Sequence, residues 1–440
     1  MIDFMLRIIA GGLLLLCQVA MGAGGVGAGE RTRDGAGGGV GGRPGFSGGP
    51  GFRNGLWRAY LVRKDGNHIV FNFEVKDSAG KKILYIRNAG ERLLVDNITL
   101  AGDSVLIRMP FYESQLRAVL TPDGDLDGVW IVHTADAWRS TPFRAMYGQE
   151  YRFAVNPRWD FHAKADGRWA AVFRSADGKD TTFRVGEFHQ EETRVTGTFL
   201  DAGGDLRYLE GIVDGDSLRL STFDGTHAYY FTARISGDSL TGGQMFSGPA
   251  GYSVWGAVQD ANAHLEDQFA MTHWNKDVPF TFTFKDIDGN RVSLSDDRFK
   301  GKVVLVQIMG SWCPNCMDET RFLSGFYNEY RSKGVEIVSL AYERSTDFVR
   351  SQNSLRTFQQ RFNVQYPMLI TGVAVGDPQR SQKTLPQLES IVNFPTTIFV
   401  GKDGHIVKIH TGFSGPGTGE HYEDQKKEFY DTVNGLLAGE

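Results

Sequence analysis

Two of the chain's three cysteines stand three residues apart, in Trp312-Cys313-Pro314-Asn315-Cys316. They follow an apolar run, Val303-Val304-Leu305-Val306-Gln307-Ile308-Met309, whose length and β-branched content predict a buried strand. A strand that ends in such a pair and opens into a helix puts the first sulfur at the helix N-terminus. Unpaired backbone N–H groups and the positive end of the helix dipole stabilise a thiolate there. A thiol so placed drops from a pKa of about 8.5 into the range of roughly 3.5–7.5 and becomes a nucleophile at neutral pH. The second sulfur, one helical turn on, is within reach to resolve a mixed disulfide. The spacing therefore predicts thiol–disulfide exchange by Cys313 and Cys316.

Other uses of the pair fit less well. Zinc needs further ligands, yet Cys17 is the only other cysteine and the ten histidines form no H-x-x-x-H pair near the motif. Haem attachment needs a histidine directly after the second cysteine, where Met317 stands. A structural disulfide stays open as an alternative, although a bridge closing so short a loop constrains the unfolded chain little. No metal and no cofactor is expected.

Strands and helices alternate around the motif. The apolar strand leads into a helix over about 313–331, with Phe322, Phe326 and Tyr330 recurring at i, i+4 and i+8. A strand follows at 335–340. Ser345 or Thr346 is expected to cap the next helix, which carries Phe348, Leu355, Phe358 and Phe362 on one face. Thr396-Thr397-Ile398-Phe399-Val400 and Ile406-Val407-Lys408-Ile409-His410 flank the turn Lys402-Asp403-Gly404 as a hairpin, and a last helix covers about 422–437. A further hairpin around Asp286-Ile287-Asp288-Gly289-Asn290 precedes the unit. The stretch 371–391 reads as loop, with a short helix at Gln387-Leu388-Glu389.

The rest of the chain is of another kind. At 440 residues it is long enough for two or three domains. Its formal charge of −5 is spread without a basic stripe, so nucleic acid is not an expected partner. Residues 1–23 read as an export signal, with Arg7 before an apolar segment too short to span a bilayer, which needs about 20 residues. Cys17 at the end of that segment is a candidate for lipidation and hence a membrane tether. Residues 24–55 are a Gly-rich linker with too little apolar surface to order itself. Over 56–263, short alternating runs and turns such as Pro122-Asp123-Gly124 predict antiparallel strands. This region also repeats. Gly55-Leu56-Trp57-Arg58-Ala59 matches Gly167-Arg168-Trp169-Ala170-Ala171, and Gly102-Asp103-Ser104-Val105-Leu106 matches Gly215-Asp216-Ser217-Leu218-Arg219. Two copies of one β-unit, about 55–150 and 160–260, are expected, each with a core tryptophan near its start.

Gly301-Lys302-Val303-Val304-Leu305, the Trp312–Cys316 motif and Asn393-Phe394-Pro395-Thr396-Thr397 together resemble the thioredoxin superfamily, and within it the TlpA/ResA-type exported thiol-disulfide oxidoreductases. The expected architecture is thus multi-domain: an N-terminal all-β antiparallel meander, a duplicated barrel- or sandwich-like unit, then a C-terminal α/β thioredoxin-like domain over 275–440. The resemblance implies a cis peptide at Pro395, facing the cysteines. It implies that the backbone of Phe394 pairs with an extended substrate, and that Trp312, Pro314 and Asn315 border it. Gln307 stands where thioredoxins carry a buried acid, so that role is vacant or moved. Glu319 stands where ResA-type members carry a glutamate, which implies a proton acceptor during resolution, although a solvated first-turn glutamate is the plain alternative. Implied partners are disulfide-containing extracytoplasmic proteins, apocytochromes among them, and a membrane thiol electron donor. The competing expectation is a binding or scaffold protein whose aromatic-rich β-half encloses a ligand or docks a partner.

Overall fold

Alternating apolar residues build two antiparallel sheets ahead of residue 260. The computed structural model describes residues 51–111, 113–134, 137–159 and 162–439. The expected export signal, Cys17 and nearly all of the Gly-rich linker lie outside the described residues.

The first sheet contains β1 (Gly55–Val62), β2 (His68–Ser78), β3 (Lys81–Asn88), β4 (Glu91–Val95), β5 (Asn97–Ala101), β6 (Ser104–Arg108), β7 (Ser114–Leu120), β8 (Leu126–His133) and β9 (Trp138–Tyr147). They hydrogen-bond in the order β4-β3-β2-β1-β9-β8-β7-β6-β5. The second contains β10 (Gly167–Ser175), β11 (Thr181–Glu191), β12 (Arg194–Asp201), β13 (Gly204–Asp205), β14 (Leu209–Asp214), β15 (Ser217–Phe223), β16 (Ala228–Ser236), β17 (Ser239–Ser247) and β18 (Gly251–Gln259). Its order, with β11 also paired to β12 and β12 to β14, closes a ring from which only β13 is left out. Corresponding strands start 112 or 113 residues apart: Gly55 and Gly167, Ser104 and Ser217, Leu126 and Ser239.

The inward faces of both sheets are filled with rings. Trp57, Phe71, Phe73, Trp130 and Phe143 are buried in the first, and Trp169, Phe173, Phe199, Phe231 and Trp255 in the second. Each copy anchors its first tryptophan in the same way. Trp57 Nε1 donates to Arg53 O at 3.1 Å and Trp169 Nε1 to Ala165 O at 2.9 Å, both reaching back four residues. The copies pack on one another, with Phe71 and Phe223 stacked at 4.1 Å and Ser221 Oγ donating to Val70 O at 2.6 Å.

They differ at one seam. In the second copy β14 pairs with β12 and completes the ring. In the first, the longer β4 occupies the equivalent edge of β3, so β4 and β5, separated only by Asp96, are the two ends of the sheet.

The C-terminal sheet runs β20-β19-β23-β22-β21-β24-β25, from β19 (Thr283–Asp286), β20 (Arg291–Ser293), β21 (Val303–Met309), β22 (Val335–Ala341), β23 (Met368–Ile370), β24 (Thr396–Val400) and β25 (Ile406–Thr411). β21, β22 and β23 are parallel and β24 runs antiparallel to β21. Every residue of β21, β22 and β24 is buried, as continuous apolar runs covered on both faces require. Four helices accompany them: α1 (Pro314–Tyr330), α2 (Phe348–Phe362), α3 (Arg380–Thr384) and α4 (Glu420–Ala438).

Two local expectations are corrected. Asp347, rather than Ser345 or Thr346, caps α2, its Oδ1 accepting from Arg350 N at 2.7 Å, while Ser345 Oγ accepts from Asp347 N. The short helix before β24 lies at Arg380–Thr384, and Leu388 instead bridges to Trp274.

The C-terminal domain also packs on the β-rich half. Phe111 stacks on Phe362 at 5.1 Å, and Arg361 Nη2 donates to Leu94 O at 2.8 Å.

Candidate redox site

Cys313 and Cys316 are joined as a disulfide with Cα atoms 5.2 Å apart. β21 ends at Met309, and Gly310, Ser311 and Trp312 carry the chain to Cys313, the N-cap residue of α1. Pro314 occupies the first helical turn, where its fixed φ suits a helix start and its missing N–H costs nothing. Cys313 Sγ accepts from Cys316 N at 3.1 Å. The first sulfur therefore lies on an unpaired helix N–H, where negative charge is stabilised. Cys313 is 4% exposed and Cys316 is fully buried.

The approach loop is held from below. Ser311 N and Oγ donate to the two carboxylate oxygens of Glu343 at 2.8 and 2.7 Å, and burial pushes that carboxyl up. Trp312 Nε1 donates to Tyr342 O at 2.8 Å, and its ring meets Phe394 edge-on at 5.5 Å. The Phe394–Pro395 peptide is cis, and Phe394 O lies 3.6 Å from Cys313 Sγ. Trp312, Cys313, Phe394 and Pro395 thus form one cluster from two segments about eighty residues apart in sequence.

Glu319 sits on α1 three residues beyond Cys316 and is fully buried, so the solvated alternative does not hold. Its Oε1 accepts from Thr397 Oγ1 at 2.6 Å and its Oε2 from Gln307 Nε2 at 2.8 Å. Burial outweighs both hydrogen bonds and raises the carboxyl to about 7. Gln307 also accepts from Ser339 Oγ at 2.8 Å. A buried carboxyl thus stands on the helix, against the amide of Gln307 on the strand.

Asn315 faces elsewhere than toward a free surface. Its Nδ2 donates to Gly203 O at 3.0 Å and Asp205 O at 3.2 Å, both in the second β-copy. Beside it Asp318, buried and with its carboxyl raised by burial, pairs with Arg207, which also pairs with Glu91 of the first copy. Asp205 Oδ2 accepts from Gly415 N at 2.7 Å, and burial lifts its carboxyl to about 6. Sequence reasoning singled out none of Gly203, Asp205, Arg207, Asp318 and Glu343. Arg207 and Asp318 are 111 residues apart, and no local pattern announces such a pairing.

Residues 275–425 match the Redoxin family, a match that begins after the β-rich half ends. The thiol-disulfide oxidoreductase ResA of Bacillus subtilis is 25% identical over 162 residues, 37% of this chain and 76% of the relative. A ResA of Bacillus cereus is 28% identical over 184 residues, 42% of this chain and 90% of the relative. The solved structure of StoA from Bacillus subtilis aligns over 33% of this chain and 96% of its own, at 22% identity and a TM-score of 0.25. The C-terminal part of this chain is a redoxin domain, homologous to ResA-type thiol-disulfide oxidoreductases, and the activity of that domain is oxidoreduction.

Proposed function

We propose that the protein is an exported thiol-disulfide oxidoreductase that reduces, or exchanges, disulfides of extracytoplasmic partner proteins through Cys313 and Cys316. The observation that carries this reading is the disulfide at the start of α1, its outer sulfur on the Cys316 N–H and beside the Phe394 carbonyl. In the reduced enzyme, the Cys313 thiolate attacks one sulfur of a partner disulfide. A mixed disulfide forms and the partner's other sulfur leaves as thiolate. Cys316 loses its proton and attacks Cys313 Sγ, the partner leaves with both sulfurs reduced, and the Cys313–Cys316 disulfide is regenerated. Glu319, one turn on from Cys316 and close to half-ionised at neutral pH, is the group assigned to take that proton. A membrane thiol donor supplies the two electrons for the next cycle.

Trp312, Pro314, Phe394 and Pro395 are assigned to the substrate side of the site, with Phe394 offering its backbone to an extended segment. Residues 1–23 are assigned to export and 24–55 to a tether, with Cys17 a candidate membrane anchor. Among the described residues no helix is long and apolar enough to cross a membrane. Apocytochromes are one class of partner consistent with the reading. The competing idea of a ligand enclosed by the β-rich half draws no support from inward faces filled with tryptophan and phenylalanine rings.

The test is a trapped intermediate. Cys316→Ala should accumulate mixed disulfides with partner proteins on non-reducing gels, and Cys313→Ala should accumulate none. Equal trapping by both variants would defeat the assignment of roles.

A further inference from the structure

The mouth of the redox site is occupied by another part of the same chain. β12 and β13 form a hairpin of the second copy with Ala202 and Gly203 at its turn. Gly203 O accepts from two donors of the redox domain, Phe413 N at 3.2 Å and Asn315 Nδ2 at 3.0 Å. Gly204 has φ +131°, and a Cβ there would stand 2.0 Å from Phe413 O and 2.5 Å from Asn315 Nδ2, so only glycine fits. A Cβ on Gly203 would lie 3.6 Å from Phe394 O, the oxygen next to Cys313 Sγ. Bare backbone has been threaded between Phe394, Phe413 and Asn315. Disulfide exchange needs an incoming sulfur to reach Cys313 Sγ directly, and Cys313 is only 4% exposed with the tip beside it.

We propose that this hairpin tip is a releasable cover over the redox site, latched by Arg207, and that the donors it occupies, Phe413 N and Asn315 Nδ2, take the backbone carbonyls of an extended protein substrate once it leaves. The proposal rests on the oxidoreductase reading above. Three observations favour release over a fixed wall. The tip projects from the closed ring on β13, a strand of only two residues. Docking leaves Asn315 Oδ1 buried without a hydrogen-bond partner among the described residues, a cost that undocking removes. The latch is a charge cluster in which Arg207 holds Glu91 of one β-copy and Asp318 of the redox domain, so a competing contact from a partner can loosen both at once. Substrate and tip compete for the same two N–H donors, and binding one requires release of the other.

The experiment uses the full chain, reduced with dithiothreitol, and reads alkylation of Cys313 by iodoacetamide together with the rate of insulin disulfide reduction. Gly204→Ala drives a methyl group into Phe413 O and Asn315 Nδ2 of the redox domain and strains the tip's own backbone at φ +131°, and Arg207→Gln weakens the latch. In each variant both rates should rise about tenfold over the parent. Unchanged rates in folded variants would overturn the cover. If both variants fail to fold, hydrogen exchange in the parent decides. The Phe413 amide should exchange through a local opening much faster than the core amides of β21, and exchange of both only by global unfolding would overturn the proposal. Failure of dithiothreitol and oxidised glutathione to cycle the cysteine pair would instead sink the oxidoreductase reading itself.

Discussion

Gln307 and Glu319 meet inside the redoxin domain, the strand amide donating to the helix carboxylate at 2.8 Å. The amide cannot accept a proton, but it fixes the group that can, and Thr397 fixes it from the strand that follows Pro395. The carboxyl assigned above to take the proton is thereby tied to both segments of the site.

That relationship sets a pH dependence. With its carboxyl raised to about 7 by burial, Glu319 stabilises the fold most when neutral. Its contribution is complete below the ordinary carboxyl value near 4.5 and is lost as pH rises through about 7, amounting to roughly 3 kcal/mol. Urea denaturation should show the parent losing stability between about pH 4.5 and 7 and Glu319→Gln losing much less. In stopped-flow measurements of mixed-disulfide resolution, the same variant should lack the inflection near pH 7.

Glu343 supports the loop that presents Cys313. Replacing it with alanine strands the Ser311 N–H and hydroxyl in a buried place, at a cost of about 1–3 kcal/mol. Glu343→Gln keeps an acceptor in the same buried place, so it should fall well short of that loss. Thermal unfolding followed by near-ultraviolet circular dichroism distinguishes the two. Reversal of their order would show that the charge itself is needed.

The tryptophan anchors offer a paired test of the β-copies. Trp57→Phe and Trp169→Phe each remove one buried indole hydrogen bond and part of a filled interior, a loss of about 1–3 kcal/mol apiece. Denaturant midpoints should fall by similar amounts in the two variants. A large loss in one with none in the other would mean that the copies do not carry their cores alike.

Much of the redoxin domain was legible because its signals are local. Val303 to Met309 is a continuous apolar run, Phe322, Phe326 and Tyr330 keep helical spacing, and Lys402-Asp403-Gly404 is a turn in any context. The repeat was legible because Trp57 and Trp169 recur with their glycines at a fixed offset. β23 escaped because three residues carry no period, and the cap of α2 was misplaced because Ser345, Thr346 and Asp347 are consecutive capping types that only the backbone can rank. The acceptors for Asn315 and the partner of Asp318 were beyond sequence reading, since Gly203, Asp205 and Arg207 look there like ordinary turn residues. Their meaning comes from a hairpin folded back over a helix more than a hundred residues away.

One junction has a bearing on the protein's fate. The first β-sheet ends at β4 and β5, and there Arg361 of α2 reaches across to Leu94 O and pairs with Asp96 at 3.2 Å. The redoxin domain thus covers part of its neighbour's raw margin. Were a protease to cut the connector after residue 260 and carry the redoxin domain away, the half left behind would bare a strand margin inviting recruitment of other chains, and clumping rather than an idle fragment would be the outcome.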